Sequence, residues 1–393
     1  MNRSRILFLV LSAALVMPIL AGTLLRAAEE KTPEEDSFYK YLSVFSEVLG
    51  LVRQAYVDEP NTQALMTGAL DGTTDALDPF SLYVPTDQVA SYQQALSVGR
   101  RYSGLALLKE RGVAYVVAVE KGSPAAQANV KVGDIVAKID GRSTRLMPLW
   151  EMQEILARQP GTHVPLELIR VGETVQAAFD LKPFDPPPVS TEQVDGATLL
   201  RIPSFAPGTP GEVRKALAQA TPHAGGKLLV DLRGVASGEP GVAYEVARLF
   251  ASGDLGVLSG RGATIQSFTS GEAPAFQGRL VLLVDRGTLG AAEVFATVLR
   301  QKVKAELVGE RTFGHAGRQA MADLSSGGRL LFTDAFYTGP DKKPLKEALK
   351  PDLLVDERSR TYLEKDVPIG DLILRRGVHR LLGEDAEPAK KAA

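Results

Sequence analysis

The stretch LVLLVDRGTLGAAEVFATVL, Leu280–Leu299, decides how this chain is read. Its opening LVLLV is an unbroken apolar run, the pattern of a strand buried on both faces. Asp285 to Leu289 carries a glycine and turn-forming residues, and from Ala291 onward apolar residues recur at helical spacing. Many hydrolases use such a strand–turn–helix to hold a nucleophile at a helix N-terminus. Here the tip of the turn is Gly290, which has no side-chain atom to react.

The chain has 393 residues, enough for two or three domains, with 45% hydrophobic and 23% charged residues, as in an ordinary globular protein. A formal net charge of -2 gives no attraction for a polyanion, so nucleic acid is not an expected partner. The absence of cysteine removes disulfides, thiolate catalysis and cysteine-held metals together. The histidines (His163, His223, His315, His379) lack metal-ligand spacing, and neither metal nor cofactor is expected. His163, His223 and His379 read as surface residues.

Residues 1–28 place Arg3 and Arg5 before an apolar run from Ile6 to Leu25, followed by Ala27 and Ala28. That is an export signal, either cleaved or kept as an anchor, and it puts the bulk of the chain outside the cytoplasm, in the periplasm or at the membrane. The expected organisation is a helical region at 36–97, a β-rich domain at 98–183, an α/β core at 190–357, a helical region at 358–382 and a disordered tail at 383–393. The boundary before the core is PFDPPPVS, Pro183–Ser190, too proline-rich to continue a sheet. The fold class is multidomain, α+β and α/β.

In the β-rich region, YSGLALL (Tyr102–Leu108) and EKGSPAAQANVKVGDIVAKIDGRS (Glu120–Ser143) together resemble a PDZ domain of the type found in bacterial exported proteases. A glycine loop running into a strand turns backbone amides toward a peptide's terminal carboxylate, while the strand edge pairs with the peptide. The resemblance implies that Gly104, Leu105 and Ala106 cradle the carboxylate and that Leu105 and Leu107 receive the last side chain. A small β-rich spacer with a blocked groove is the bland alternative.

Further segments extend the likeness. LDPFSLY (Leu77–Tyr83), LLVDLRGVASGEPGVAYEVARLF (Leu228–Phe250), DRGTLGAAEVFA, GERTFGHAGRQ (Gly309–Gln319) and LKPD (Leu349–Asp352) stand in the order found in C-terminal processing peptidases, also called tail-specific proteases. The chain resembles that family from about Phe38 to Asp352, with a ClpP/crotonase-like core. Its members use a serine activated by a lysine. The resemblance places the serine on Gly290, the lysine on His315 and the lysine-orienting glutamine on Gln319. The oxyanion donors fall to Ala291 and to Ser237 and Gly238, the latter two in a loop whose usual NPGG reads Val235-Ala236-Ser237-Gly238.

These substitutions weigh differently. Histidine is a competent general base, so His315 alone does not exclude catalysis. Glycine cannot attack. Replacement nucleophiles to consider are Ser237, on the facing loop, and Thr288, which also reads as a cap for the following helix. Glu293 suits the positive end of that helix dipole without further role. Three readings follow: a binder of polypeptide C-termini or unfolded exported proteins that has lost its dyad, an active peptidase with a displaced nucleophile, or a structural scaffold. Partners of the first include an active homologue or a second copy of the chain.

Overall fold

The computed structural model describes residues 33–355 and 371–383. The expected leader at 1–28, the start of the 358–382 region and nearly all of the tail lie outside the described residues, as does the side chain of His223. The described residues fall into two compact units that divide after Gly68. In the first, α1 (Pro33–Ala55) exposes Phe38, Tyr41, Val48 and Leu51. Helix α2 (Thr62–Asp75) runs from the first unit into the second.

The second unit begins with β1 (Leu82–Val84) and α3 (Val89–Val98). A β-domain follows: β2 (Leu105–Glu110), β3 (Val113–Val119), α4 (Pro124–Gln127), β4 (Ile135–Ile139), β5 (Arg142–Ser143), α5 (Leu149–Leu156), β6 (His163–Arg170) and β7 (Glu173–Asp180). Its sheet runs β2-β3-β4-β6-β7, with β5 on β4 and β2 at an edge. Ser123 caps α4, accepting from the Ala126 amide at 3.2 Å with Pro124 in the first turn, which is why GSPA starts a helix.

No strand or helix occupies residues 182–189, as the prolines there require. The core then comprises β8 (Ser190–Val194), β9 (Ala197–Arg201), α6 (Thr209–Ala224), β10 (Lys227–Asp231), α7 (Pro240–Ala247), β11 (Gly253–Gly260), β12 (Thr264–Ser270), β13 (Arg279–Val284), α8 (Ala291–Val303), β14 (Glu306–Gly309), β15 (Gly317–Asp323), β16 (Arg329–Tyr337), β17 (Leu353–Leu354) and α9 (Leu372–Leu382). One sheet has the order β17-β14-β13-β10-β9-β8, parallel except for β8. The apolar run of β13 serves both faces. Leu280, Leu282 and Val284 join the cluster under α7 and α8, whereas Val281 and Leu283 meet α9.

A second, antiparallel core sheet, β1-β16-β11-β12 with β15 on β16, was not anticipated by the reading of alternating strands and helices. It also corrects the helical reading of 36–97, because β1 lies within that span and pairs Leu82 with Leu331 of β16. The expected helical region at 358–382 contributes α9, which packs on the parallel sheet and has Asp371 accepting from the Leu374 amide at 2.9 Å.

Helix α9 fits closely at Gly377, where an added Cβ would lie 2.4 Å from Leu283 Cδ2. Gly377→Val is expected to destabilise the chain by roughly 1–3 kcal/mol through overpacking. Urea unfolding measures this, and an unchanged midpoint would show that α9 does not dock as described.

Candidate active site

The turn between β13 and α8 is built by two carboxylates, the half-buried Asp285 and the buried Glu293. Asp285 accepts from the amides of Gly234 and Gly287, both at 2.9 Å, and so ties the loop after β10 to the turn before α8. Burial pushes the Asp285 carboxyl above its ordinary range against the pull of these amides and of Arg233. Thr288 is fully buried; its hydroxyl donates to the Leu232 carbonyl at 3.0 Å and accepts from the Asp285 amide at 3.0 Å. It therefore neither caps α8 nor presents an exposed hydroxyl, which corrects both roles considered for it.

Gly290 occupies the N-cap of α8 at φ 61° and ψ −108°. A side chain in that region costs roughly 1–3 kcal/mol of backbone strain, a cost glycine avoids. Space is not the obstacle: a Cβ at Gly290 would meet within 4 Å only the His315 carbonyl oxygen, at 3.9 Å. The imidazole lies farther away.

One turn into α8, Glu293 is 1% exposed and gathers four donors. Its carboxylate accepts from the amides of Gly290 at 3.0 Å, Gly314 at 2.6 Å and His315 at 3.0 Å, and from the Thr312 hydroxyl at 2.5 Å. Burial raises its pKa, opposed by those four bonds. The sequence reading gave Glu293 only a dipole role; no local pattern announces that three of its four partners lie some twenty residues downstream.

His315 is buried at 9% exposure, in the loop before β15. Its ring stacks on Phe80 with centroids 4.2 Å apart at 24° and meets Phe336 edge-on at 5.2 Å. Asp78 sets the position of Phe80, accepting from the amides of Phe80 at 2.8 Å and Ser81 at 2.9 Å, which explains the local form of LDPFS. Burial lowers the His315 pKa, with Asp78 acting the other way. Nε2 of His315 lies 3.4 Å from the Thr333 hydroxyl. Gln319, expected to orient the residue at 315, donates instead to Thr333 at 2.8 Å, since strand pairing sets it beside that residue on β16.

The loop expected to supply oxyanion donors is held against Phe205. Its amide donates to the Ser237 carbonyl at 3.1 Å, and a Cβ on Gly238 would lie 2.5 Å from Phe205 backbone atoms, so only glycine fits at this φ of 115°. The Leu289 amide donates to the Val235 carbonyl at 3.0 Å, bringing this loop beside the turn that ends at Gly290 and Ala291. Among the described residues the amides of Gly238 and Ala291 have no acceptor. Ser237 lines a 170 Å³ cavity with Arg201, Asp231 and Arg233. His315 lines a separate 620 Å³ cleft with Asp78, Phe313, Thr333 and Phe336, so the two candidates for a rescued pair face different spaces.

In the β-domain the expected carboxylate cradle is not open in this conformation. The Gly104 amide donates to the Arg100 carbonyl at 2.8 Å and the Leu105 amide to Ser103 Oγ at 3.2 Å. Leu105 and Leu107 are buried, and Ala106 is half-buried. The reason is local: the chain leaving α3 folds back over the start of β2. His163 and His379 are exposed, as expected.

Comparison with known proteins agrees with this architecture. Residues 196–355 match the model of peptidase family S41, and residues 115–170 match a PDZ domain. The chain is 26% identical over 321 residues to the "Probable CtpA-like serine protease" of Staphylococcus aureus (strain MRSA252), which covers 80% of this chain and 65% of that protein. The chain thus spans somewhat less than two thirds of that relative's length. It is 25% identical over 373 residues to the carboxy-terminal processing protease CtpA of Bacillus subtilis (strain 168), covering 91% of this chain and 78% of that one. The photosystem II D1 C-terminal processing protease shares the fold, with a TM-score of 0.66 at 23% identity over 86% of this chain and 91% of the other. The chain is thus similar to the S41 C-terminal processing peptidases over residues 196–355 and to PDZ domains over residues 115–170.

Two outcomes follow from the geometry. Glu293→Ala leaves buried amides without an acceptor and is expected to cost roughly 3 kcal/mol or more in urea unfolding; a loss below about 0.5 kcal/mol would contradict the clamp. Because the folded chain lowers the imidazole pKa of His315, the stability tied to that ring is full above its unfolded value near 6.5 and is lost as pH falls through it toward the folded value. Wild type should therefore lose stability relative to His315→Phe between pH 7.5 and pH 5, whereas a gap independent of pH would exclude a buried neutral imidazole.

Proposed function

We propose that this protein binds polypeptide C-termini, or unfolded exported proteins that present them, through its PDZ domain and does not cleave them. The observation that carries the reading is Gly290. At the helix entry where acyl transfer needs a hydroxyl there is no side-chain atom, and the nearest atom of His315 is a carbonyl oxygen. The imidazole is packed between Phe80 and Phe336, a place that suits an aromatic filler better than a base.

Recognition and hydrolysis rest on different residues, so losing one leaves the other available. The outer edge of β2 has no strand partner among the described residues, which supports pairing with an extended peptide. The site of action is outside the cytoplasm on the strength of the N-terminal segment, with the chain acting as an adaptor or as a companion of an active homologue. A displaced-nucleophile peptidase is the weaker reading: Thr288 is sealed in the core, and Ser237 faces a cavity that His315 does not line.

Two measurements on the purified chain test this. A fluorogenic unfolded-protein substrate should show no turnover above buffer, while a labelled peptide should bind better with a free C-terminus than with an amidated one. Turnover abolished by Ser237→Ala would replace the proposal with the displaced-nucleophile reading. Equal binding of the two peptides would remove C-terminus capture.

A further inference from the structure

The sequence of the β-domain leaves a question that its structure answers: what lies in the peptide groove when no peptide is present? The groove of such a domain runs between β2 and α5. Lys109 of β2 donates to the Met147 carbonyl at 2.9 Å, just ahead of α5, so strand and helix lie side by side. On α5, Leu149, Met152, Ile155 and Leu156 are buried in the domain's cluster. Arg142 of β5 donates to Glu151 at 2.5 Å. At about 100° per residue, Trp150, Gln153 and the following Ala157 fall on the opposite flank, the one that borders the groove.

That flank is occupied. Helix α3 packs along α5, with Tyr92 at 2% and Ala95 at 6% exposure, and Tyr92 belongs to the same buried cluster as Leu105, Leu107 and Trp150. Leu105 and Leu107, which would receive a ligand's last side chain, are only 2% and 5% exposed with no ligand bound. Two of the cradle amides, those of Gly104 and Leu105, are taken by the segment that leaves α3, through Arg100 and Ser103.

The cover is imperfect in a way that matters. Trp150 Nε1 and Gln153 Oε1 are buried without a hydrogen-bond partner, a donor and an acceptor on the covered flank that α3 leaves unsatisfied. Between α3 and the end of α5 a cleft of 440 Å³ remains, lined by Gln94, Ala95, Tyr102, Ala157 and Thr162. Gly99, at φ 53° directly after α3, supplies a pivot.

We propose that α3 is a resident competitor for the peptide groove: Val89–Val98 covers the α5 flank beside β2, and a C-terminal peptide binds only after α3 leaves it. This rests on the reading of the protein as a binder of C-termini and names how that site is regulated. The apparent affinity is then the intrinsic affinity reduced by the small fraction of molecules with α3 displaced.

The test uses the full chain, a labelled peptide with a free apolar C-terminal residue, and its amidated twin, followed by fluorescence anisotropy. Tyr92→Ala weakens the cover and should tighten binding of the free-carboxylate peptide about tenfold. A second variant guards against misfolding. Because the chain has no cysteine, Gln94→Cys with Ala157→Cys gives unique sites for a bismaleimide bridge between α3 and the end of α5. The bridged form should lose peptide binding relative to the same variant without the bridge. Equal binding of the free-carboxylate peptide by wild-type, Tyr92→Ala and bridged chains, still better than the amidated twin, would overturn the competitor while leaving C-terminus capture standing. Equal binding of both peptides by every form would overturn both.

Discussion

The carboxylate of Glu293 is the interaction on which the rest of the site depends. Three backbone amides and one hydroxyl, drawn from the turn at Gly290 and the loop from Thr312 to His315, converge on it in a space closed to water. Leaving any of those donors unpaired is costly, so the two segments are held together whatever side chains stand at positions 290 and 315. Asp285 does the same for the loop from Gly234 to Gly238 on the other side of the turn. A frame fixed through backbone amides does not depend on the side chains it presents.

This separation accounts for the character of the site. Gly290 holds a backbone conformation that a side chain enters only under strain. His315 is stabilised by stacking on Phe80 and by contact with Phe336, both packing interactions, and burial lowers its pKa. The residue at 315 is thereby part of the core. In the proposed reading, peptide recognition belongs to another part of the unit, where β2 and α5 meet, and α3 competes for the same surface.

Much of the fold was legible. The apolar run of Leu280–Val284 followed by a turn and a helical period could only be a buried parallel strand feeding a helix, because both of its faces carry large aliphatic residues. The antiparallel core sheet was not legible, since TIQSFTS and GRQAMAD expose much of their length and their polar residues mask the alternation. The positions of Gly290, His315 and Gln319 could be read from motif order. What bonds each of them could not: Gln319 meets Thr333, Glu293 meets Thr312 and Gly314, and Thr288 meets Leu232, all contacts set by the packing of segments distant in sequence.

Intact-mass spectrometry after prolonged incubation with a serine-directed acylating inhibitor tests the central claim most directly. An unmodified mass under conditions where the Bacillus subtilis protease is labelled is the result expected of a binder without a nucleophile. A stoichiometric adduct that maps to any hydroxyl near Gly290 would contradict it.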